Sequence, residues 1–242
     1  MVGGQLYKMN FIKNFFYEIY YSKYSKTSYS ISSVDLIIDR IFKDIKKRIY
    51  IDVRCNHPIK FNNTYLLYKR GWQGINVDAD ISSIELFDKF RKKDKNINCI
   101  VSDNEEIKKL YFYHKRSAIN TLSKNLLDSR KTKPTKIVNE KSTTLNKLIE
   151  NSQFNKTKIN LLSIDIENHE YEALHKFNFL KYKIDVIVVE CLNIKLKKLE
   201  IYNQSLNHII NSNIYKLLLN NDYKLINWVH SDLIFVRNDF EV

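Results

Sequence analysis

Carboxylates follow three successive apolar runs of this 242-residue chain, where each run gives way to a polar turn. Short apolar runs bounded by turn residues are typical of buried strands. Asp52 ends the first run, Asp78 ends the second, and Ser102-Asp103 follows the third. Open α/β sheets bind ligands at the carboxyl ends of their strands, and an acid after the second strand typically accepts hydrogen bonds from two ribose hydroxyls. The sequence therefore predicts a nucleoside site in which Ser102 and Asp103 read an adenine edge.

The turn after Asp52 reads Arg54-Cys55-Asn56, and we expect it to bind the polar end of the same ligand. Its backbone N–H groups can donate to a ligand carboxylate, and Asp52 can accept a hydrogen bond from a ligand ammonium group. A glycine is expected at position 54, because it lets a ligand lie against the backbone. Arg54 stands there instead.

A fourth polar segment follows a later apolar run and places Asp165, Glu167 and His169 at alternating positions of the predicted ligand edge. These residues are the catalytic candidates, because a carboxylate or an imidazole there can act as a general base. Asp165 and Glu167 are also candidate ligands of a divalent metal such as Mg²⁺. Glu190 ends a further apolar run and must face solvent at this edge or find a partner.

The sequence contains neither the dinucleotide fingerprint nor a Walker-type phosphate loop. A ligand whose phosphates need close backbone approach is therefore disfavoured. A cofactor with an adenosine and an amino acid end, but no phosphates, fits the pattern of acids better. S-adenosylmethionine is such a cofactor, and its sulfonium and ammonium groups favour carboxylates.

Predicted strands alternate with predicted helices through most of the chain. Strands are expected at 48–53, 74–77, 96–101, 158–164, 184–190, 223–229 and 232–237, and helices at 64–70, 82–92, 143–151, 170–176 and 213–220. This alternation favours a mostly parallel sheet with helices on both faces. The last two strands are too close for a crossover helix and must pair antiparallel. An extra edge strand is expected at 110–114, and the polar segment 124–140 is expected to be a mobile loop.

Composition bounds the class of protein. The net charge of +13 favours anionic partners, nucleic acid among them, although the basic residues are scattered along the chain. Three widely spaced cysteines and the lack of a long apolar run predict a cytoplasmic protein without a transmembrane segment. We expect residues 1–46 to be a helical lead-in that packs over the sheet, and residues 47–242 to be one domain.

With these residues in place, the chain resembles the FkbM-type family of S-adenosylmethionine-dependent methyltransferases. The family motifs I-D-V-G-A-N-H-P, N-N-T-Y, G-W-x-G-I-N-x-[DE], A-x-N-T-L-S, L-S-I-D-[VI]-E-G-H-E, V-E and I-F-V-R are similar to segments 51–58, 62–65, 71–78, 118–123, 162–170, 189–190 and 234–237. The resemblance implies the class I methyltransferase fold, a Rossmann-like α/β fold with a seven-stranded, mostly parallel sheet and an antiparallel terminal hairpin. It also implies O-methylation, often of sugars or polyketide-like hydroxyls.

On this resemblance, the acceptor side of the site is lined by His57, Asn63, Asn120 and Thr121. A sugar, a glycan or another hydroxyl-bearing small molecule is then the expected substrate. The charge suggests a second hypothesis, an RNA 2′-O-methyltransferase. Asp165 and Glu190 are on strands that would suit the two acids of its Lys-Asp-Lys-Glu tetrad, but no lysine stands at an obvious position after residue 184.

Two residues depart from the family pattern, because Arg54 and Asn168 both replace glycines. Asparagine tolerates the left-handed backbone conformation that glycine allows, so Asn168 is a mild change. Arg54 is a larger change with three possible outcomes. Its side chain can swing outward from an ordinary backbone conformation, it can bind the cofactor's carboxylate, or it can impair the site. The third outcome gives a further hypothesis, a non-catalytic binding protein whose cleft is filled by Arg54.

Overall fold

A computed structural model describes residues 13–117, 119–193, 196, 201–203 and 205–241. Residues 1–12 of the predicted lead-in and Ala118 of the loop motif lie outside this part of the chain. The strands in chain order are β1 (Ile49–Val53), β2 (Gln73–Asp78), β3 (Lys95–Asn98), β4 (Ile100–Val101), β5 (Ile107–Phe112), β6 (Lys136–Thr143), β7 (Ile159–Ile164), β8 (Val186–Glu190), β9 (Tyr223–Val229) and β10 (Asp232–Arg237).

Seven of these strands form the main sheet, in the order β3-β2-β1-β7-β8-β10-β9. The pairs from β3 to β8 are parallel, whereas β10 runs antiparallel to both β8 and β9. The predicted seven-stranded sheet with an antiparallel terminal hairpin is confirmed. Because β1 and β7 are neighbours while the chain leaves β1 towards β2, the strand order reverses at this pair, and a ligand site is expected at their carboxyl ends.

Helices cover both faces of the sheet. The described α-helices with defined ends are Val34–Ile41, Tyr65–Lys69, Ile81–Phe90, Lys124–Ser129, Leu145–Glu150, Glu170–Leu174, Phe179–Tyr182, Leu206–Asn211 and Asn213–Leu219. On one face, Val34, Ile38 and Phe42 of the lead-in are fully buried against Tyr50 and Trp72. The larger apolar cluster lies on the other face, under the helices of the second half of the chain. β1, β7 and β8 are buried along their whole length, as a doubly covered parallel sheet requires.

The close contact between β1 and β2 depends on Gly74. A Cβ atom at this position would lie 2.2 Å from the Tyr50 ring and 2.7 Å from the Tyr50 carbonyl oxygen. Any larger residue would therefore force the two strands or the buried Tyr50 ring to move. Among the described residues, no helix is both long and apolar enough to cross a bilayer.

The prediction of a loop at 124–140 is wrong, because this segment contains the helix Lys124–Ser129 and most of β6. β6 pairs antiparallel with β5 and parallel with β4, so the predicted edge strand at 110–114 belongs instead to a separate three-stranded sheet. The predicted strand at 96–101 is likewise divided between the two sheets. The partly buried face of β6 carries Val138, Glu140 and Ser142, so the strand has no continuous apolar face. Pairing with β5 fixes its conformation instead.

Candidate functional site

A cleft opens at the carboxyl ends of β1 and β2. Asp78 stands at its edge, with Oδ2 accepting a hydrogen bond from the Asn56 backbone N–H (2.9 Å) and Oδ1 accepting one from the Asp80 N–H (2.8 Å). Burial raises the pKa of Asp78 to about 6, although these hydrogen bonds and Arg54 oppose the shift. Apolar and polar residues from both sheets line the cleft: Val53, Arg54, Asn56, Val77, Asp78, Ala79, Asp80, Ser83, Cys99, Ile100, Val101, Leu110, Arg116, Ser117, Asn120, Thr121, Leu122 and Ile166.

Asp52 lies behind this cleft. Its Oδ2 accepts hydrogen bonds from Asn62 Nδ2 (2.9 Å) and Thr64 Oγ1 (2.8 Å). The carboxyl is 5% exposed, and burial raises its pKa. The structure therefore uses Asp52 to fix the turn before helix Tyr65–Lys69, and its role towards a ligand ammonium stays a prediction.

Arg91 supports the same turn, and sequence reasoning missed it. The side chain is fully buried, and its guanidinium donates to the Pro58 carbonyl (2.7 and 2.9 Å) and to Asn62 Oδ1 (2.7 Å). It also donates to the Tyr50 hydroxyl and Thr64 Oγ1. Four aromatic rings surround it: Tyr50, Tyr65, Tyr68 and Phe87. A single arginine at the end of a helix forms no sequence motif, so its role could not be predicted. The fold shows that Arg91 holds this turn in place by hydrogen bonds.

Two further predicted residues turn away from the cleft. The Cys55 side chain packs against Ile84 and Phe87, and burial raises the pKa of its thiol well above the ordinary range. His57 Nδ1 accepts hydrogen bonds from the backbone N–H groups of Ile59 (3.1 Å) and Lys60 (3.0 Å). Partial burial lowers the pKa of His57. Both side chains thus stabilise the turn in this structure.

Ser102, Asp103 and His169 form a polar cluster beside the cleft. Ser102 Oγ lies 2.9 Å from His169 Nε2, and burial lowers the pKa of the imidazole. Asp103 pairs with Lys176 (3.3 Å) and Lys108 (3.7 Å). Burial opposes ionisation of Asp103, but hydrogen bonds from Lys176 and Ser102 lower its pKa on balance. Ser102, Asp103 and His169 are not among the described residues that line the cleft. The structure places Ser102 against His169 and not against Asp78.

Arg54 crosses the site between two strand ends. Its backbone is left-handed (φ 63°), and its side chain is 14% exposed, so the outward arrangement from an ordinary backbone conformation is wrong. The guanidinium donates to Asp165 Oδ1 (2.9 Å) and to the Asn120 carbonyl (3.2 Å), and it lies 3.4 Å from Glu167. Burial opposes the charge, but Glu167 and Asp165 raise the pKa of Arg54 on balance. Arg54 therefore neutralises acids at the carboxyl end of β7.

The segment after β7 turns sharply. Glu167 and Asn168 both have left-handed backbones (φ 54° and 67°), so asparagine adopts the conformation expected of the family glycine. Glu167 is buried and bound by two arginines, Arg54 and Arg130, and its carbonyl accepts a hydrogen bond from Thr121 Oγ1 (3.0 Å). Burial raises the pKa of Glu167, and the two arginines oppose this shift. Arg130, which sequence reasoning also missed, lies in the segment predicted to be a loop.

Three carboxylates share a small space beneath this turn. One oxygen each of Asp165, Glu170 and Glu190 lies within 4.8 Å of the others. Glu170 Oε1 accepts a hydrogen bond from the Ile166 N–H (2.7 Å), whereas Glu190 Oε2 has no hydrogen-bond partner among the described residues. Burial and the neighbouring acids raise the pKa of Glu170 to about 8 and that of Glu190 well above its ordinary value. We expected Asp165 and Glu167 to be the metal ligands. In the structure, Asp165 lies with Glu170 and Glu190 instead, because Glu167 is paired with two arginines.

The predicted acceptor residues divide into two places. Asn120 and Thr121 line the cleft, and the Asn120 side chain accepts a hydrogen bond from the Tyr113 N–H (2.8 Å). Asn63 lies nearer β7, where its Nδ2 donates to Ser163 Oγ (3.2 Å). The segment that carries Asn120 and Thr121 connects β5 to β6, so the small sheet supplies one wall of the cleft.

The family follows from comparison with known proteins. A family described as "Methyltransferase FkbM domain" matches residues 52–225, which include both strand ends of the cleft and the turn after β7. The chain belongs to this family. It is therefore a member of the S-adenosylmethionine-dependent methyltransferases, and its seven-stranded sheet is that of the class I fold. No curated protein matches the chain.

One solved structure similar to this methyltransferase is a TehB-like SAM-dependent methyltransferase from Corynebacterium glutamicum. The two chains are 10% identical, with a TM-score of 0.42, and the alignment covers 96% of this chain and 99% of the other.

The residues of the cleft fit S-adenosylmethionine. Asp78 keeps free lone pairs for ribose hydroxyls after accepting its two backbone hydrogen bonds, since a carboxylate offers about four acceptor sites. Val77, Ile100 and Val101 provide an apolar surface beside it. Arg54, which also lines the cleft, is a cation that suits the carboxylate of the cofactor's amino acid end.

Proposed function

We propose that this methyltransferase transfers a methyl group to a hydroxyl group, and that the hydroxyl belongs to a sugar or glycan. The observation that carries the proposal is the placement of two acids on either side of Arg54. Asp78 lines the cleft, and Asp165, with a side chain 45% exposed, stands at the neighbouring strand end. The first acid suits the nucleoside and the second suits an acceptor.

S-adenosylmethionine supplies a methyl group on a sulfonium, and an acceptor O–CH₃ bond forms as the S–CH₃ bond breaks. The chain must hold the acceptor oxygen in line and receive the hydroxyl proton. Asp165 is the better base of the candidates, because it is the most exposed and is held by Arg54 at 2.9 Å. His169 is bound to Ser102, and Glu167 is bound to two arginines. We therefore assign proton transfer to Asp165 and a positioning role to Glu167.

The acceptor class rests on the polar character of the cleft wall. Asn120 and Thr121 line the cleft beside Arg54, and their buried side chains are held by hydrogen bonds to the Tyr113 N–H and the Glu167 carbonyl. They give the wall a fixed, polar shape, which is the kind of surface that suits a sugar rather than an apolar acceptor. We further propose that the protein works in a reducing cytoplasmic compartment, since Cys55, Cys99 and Cys191 are free thiols.

Binding of S-adenosylhomocysteine tests the cofactor part of this proposal. Calorimetry should give one site per chain for the wild type, and the Arg54→Gly variant should keep an affinity within about tenfold, because glycine takes the same left-handed backbone without strain. Binding by Arg54→Gly alone would show that Arg54 blocks the cleft and that the protein is non-catalytic. Binding by neither protein would overturn the proposal outright.

Methyl transfer to a panel of sugars and glycans, followed by mass spectrometry with isotopically labelled cofactor, tests the acceptor. Asp165→Asn should lower the rate at saturating substrates about 10²–10⁴-fold, the usual contribution of a general base. It should leave the affinity for S-adenosylhomocysteine within a few-fold of wild type. A rate unaffected by Asp165→Asn, or transfer only to RNA with a steep salt dependence, would contradict the assignment.

A further inference from the structure

Three carboxylates, those of Asp165, Glu170 and Glu190, come together beneath the turn after β7. Register explains their proximity, because Ile164 of β7 pairs with Val189 of β8 and so brings Asp165 and Glu190 to the same edge. Glu170 reaches the group from the first turn of the helix that follows β7. Two independent strand ends and one helix therefore converge on one point.

The spacing of these oxygens is close to that of ligands around one divalent cation. The oxygens of Asp165, Glu170 and Glu190 all lie within 4.8 Å of one another. Three ligands spread evenly around one ion are separated by about 3.6 Å for Mg²⁺ and by about 4–4.5 Å for Ca²⁺. Small side-chain rotations would therefore let one hard cation bind all three.

Glu190 gives a second, independent indication of a ligand. It is 6% exposed, and its Oε2 accepts no hydrogen bond from the part of the chain that the structure describes. An acidic oxygen left without a partner in the interior is costly, because nothing replaces the water it has lost. Glu167, two residues after Asp165, differs from Glu190 because its carboxylate is paired with both Arg54 and Arg130.

Charge completes the argument. The acids in this region include Asp165, Glu167, Glu170 and Glu190. Two arginines form ion pairs with them: Arg54 pairs with Asp165 and Glu167, and Arg130 pairs with Glu167. The described ion pairs include neither Glu170 nor Glu190, although the charge of Arg54 also acts on Glu190. A divalent cation would replace the protons that these two buried carboxyls otherwise hold, and it would supply a partner for Glu190.

We propose that Asp165, Glu170 and Glu190 bind a divalent cation of the Mg²⁺, Mn²⁺ or Ca²⁺ class, with water completing its coordination. Asp165 is half-exposed at the strand edge, so the cation can be reached from solvent on that side. Its use in catalysis rests on the proposed function: a cation there would bind the acceptor oxygen and ease loss of its proton. An acceptor with two neighbouring oxygens, such as a sugar diol, would fit best.

Manganese titration of the purified protein, followed by the electron paramagnetic resonance signal of free Mn²⁺, tests the site without cofactor or acceptor. We expect one Mn²⁺ per chain, displaced by excess Mg²⁺ or Ca²⁺. Glu190→Gln should weaken binding at least tenfold, since it removes a ligand charge and preserves size. Glu172→Gln is the matched control, because Glu172 is an exposed acid of the helix that begins at Glu170. Its Mn²⁺ affinity should stay within twofold of wild type.

Asp165→Asn provides a second variant if Glu190→Gln does not fold, since the half-exposed Asp165 tolerates neutralisation more readily. It should also weaken Mn²⁺ binding at least tenfold. Absence of saturable Mn²⁺ binding, or equal binding by wild type and both ligand variants, would overturn the proposal. Because S-adenosylhomocysteine binding is measured separately, failure of the cation site leaves the cofactor result untouched and the two proposals distinguishable.

Discussion

Replacing Glu170 by glutamine should flatten the pH dependence of stability between pH 5.5 and 8. Glu170 is buried, and its pKa rises from an ordinary value of 4.5 to about 8, chiefly through burial and also through the charge of Asp165. Over this range the folded protein keeps a proton on Glu170 that the unfolded chain has lost. The free energy of unfolding therefore falls as pH rises towards 8.

The magnitude follows from the two pKa values. At pH 5.5 the raised pKa costs about 1 kcal/mol, and at pH 8 it costs about 4 kcal/mol, so the change is about 3 kcal/mol. Glutamine has no charge to lose, and its Oε1 can keep the 2.7 Å hydrogen bond from the Ile166 N–H. Glu170→Gln should thus be more stable than wild type at pH 8, and the difference should shrink at pH 5.5.

Urea unfolding followed by tryptophan fluorescence, in the presence of EDTA, measures this difference at both pH values. Thermal unfolding should show the same trend, with about 2–4 °C of Tm for each kcal/mol in a chain of this size. Glu172→Gln, an exposed neighbour, should follow the wild-type dependence. The reasoning is refuted if Glu170→Gln loses as much stability as wild type between pH 5.5 and 8.

Three further substitutions test other parts of the structure. Arg91→Met should lose about 3–5 kcal/mol in urea unfolding, because it removes a fully buried charge from its hydrogen-bonded acceptors, whereas the exposed neighbour Lys92→Met should change little. Gly74→Ala should lower the stability by at least about 1–3 kcal/mol, since its Cβ would overlap the Tyr50 ring; an unchanged Tm would contradict this packing. Asp78→Asn should weaken S-adenosylhomocysteine binding in calorimetry by about 10–100-fold, and equal affinity would remove Asp78 from the ribose site.

The main sheet could be predicted because its strands are short apolar runs that end in polar turns. β1, β2, β7 and β8 lie close to their predicted positions, and the short connection between β9 and β10 required the antiparallel hairpin. β6 could not be predicted in this way, because one face is exposed and the partly buried face carries Glu140 and Ser142 beside Val138, which gives no apolar pattern. Its conformation depends on pairing with β5, which is a tertiary effect.

The candidate site was predictable only where it depends on strand ends. Asp78 and Asp165 reach the carboxyl edge because the strands before them are parallel. The partners of Arg54 could not be foreseen, since its main contact is 111 residues away along the chain. Cys55 and His57 belong to the right turn, but the side-chain directions within a turn depend on backbone angles that spacing does not specify.

The two parts of the candidate site differ in the range of the contacts that build them. Asn56 and Asp78 are 22 residues apart, whereas Arg54 and Asp165 are 111 residues apart. Closing the longer loop costs about 1.4 kcal/mol more in chain entropy. We therefore expect the contact between Asn56 and Asp78 to form early during folding, as β1 pairs with β2. The contact between Arg54 and Asp165 should form only when β7 inserts beside β1. Mutual repulsion of the carboxylates around Asp165 should slow that step at high pH.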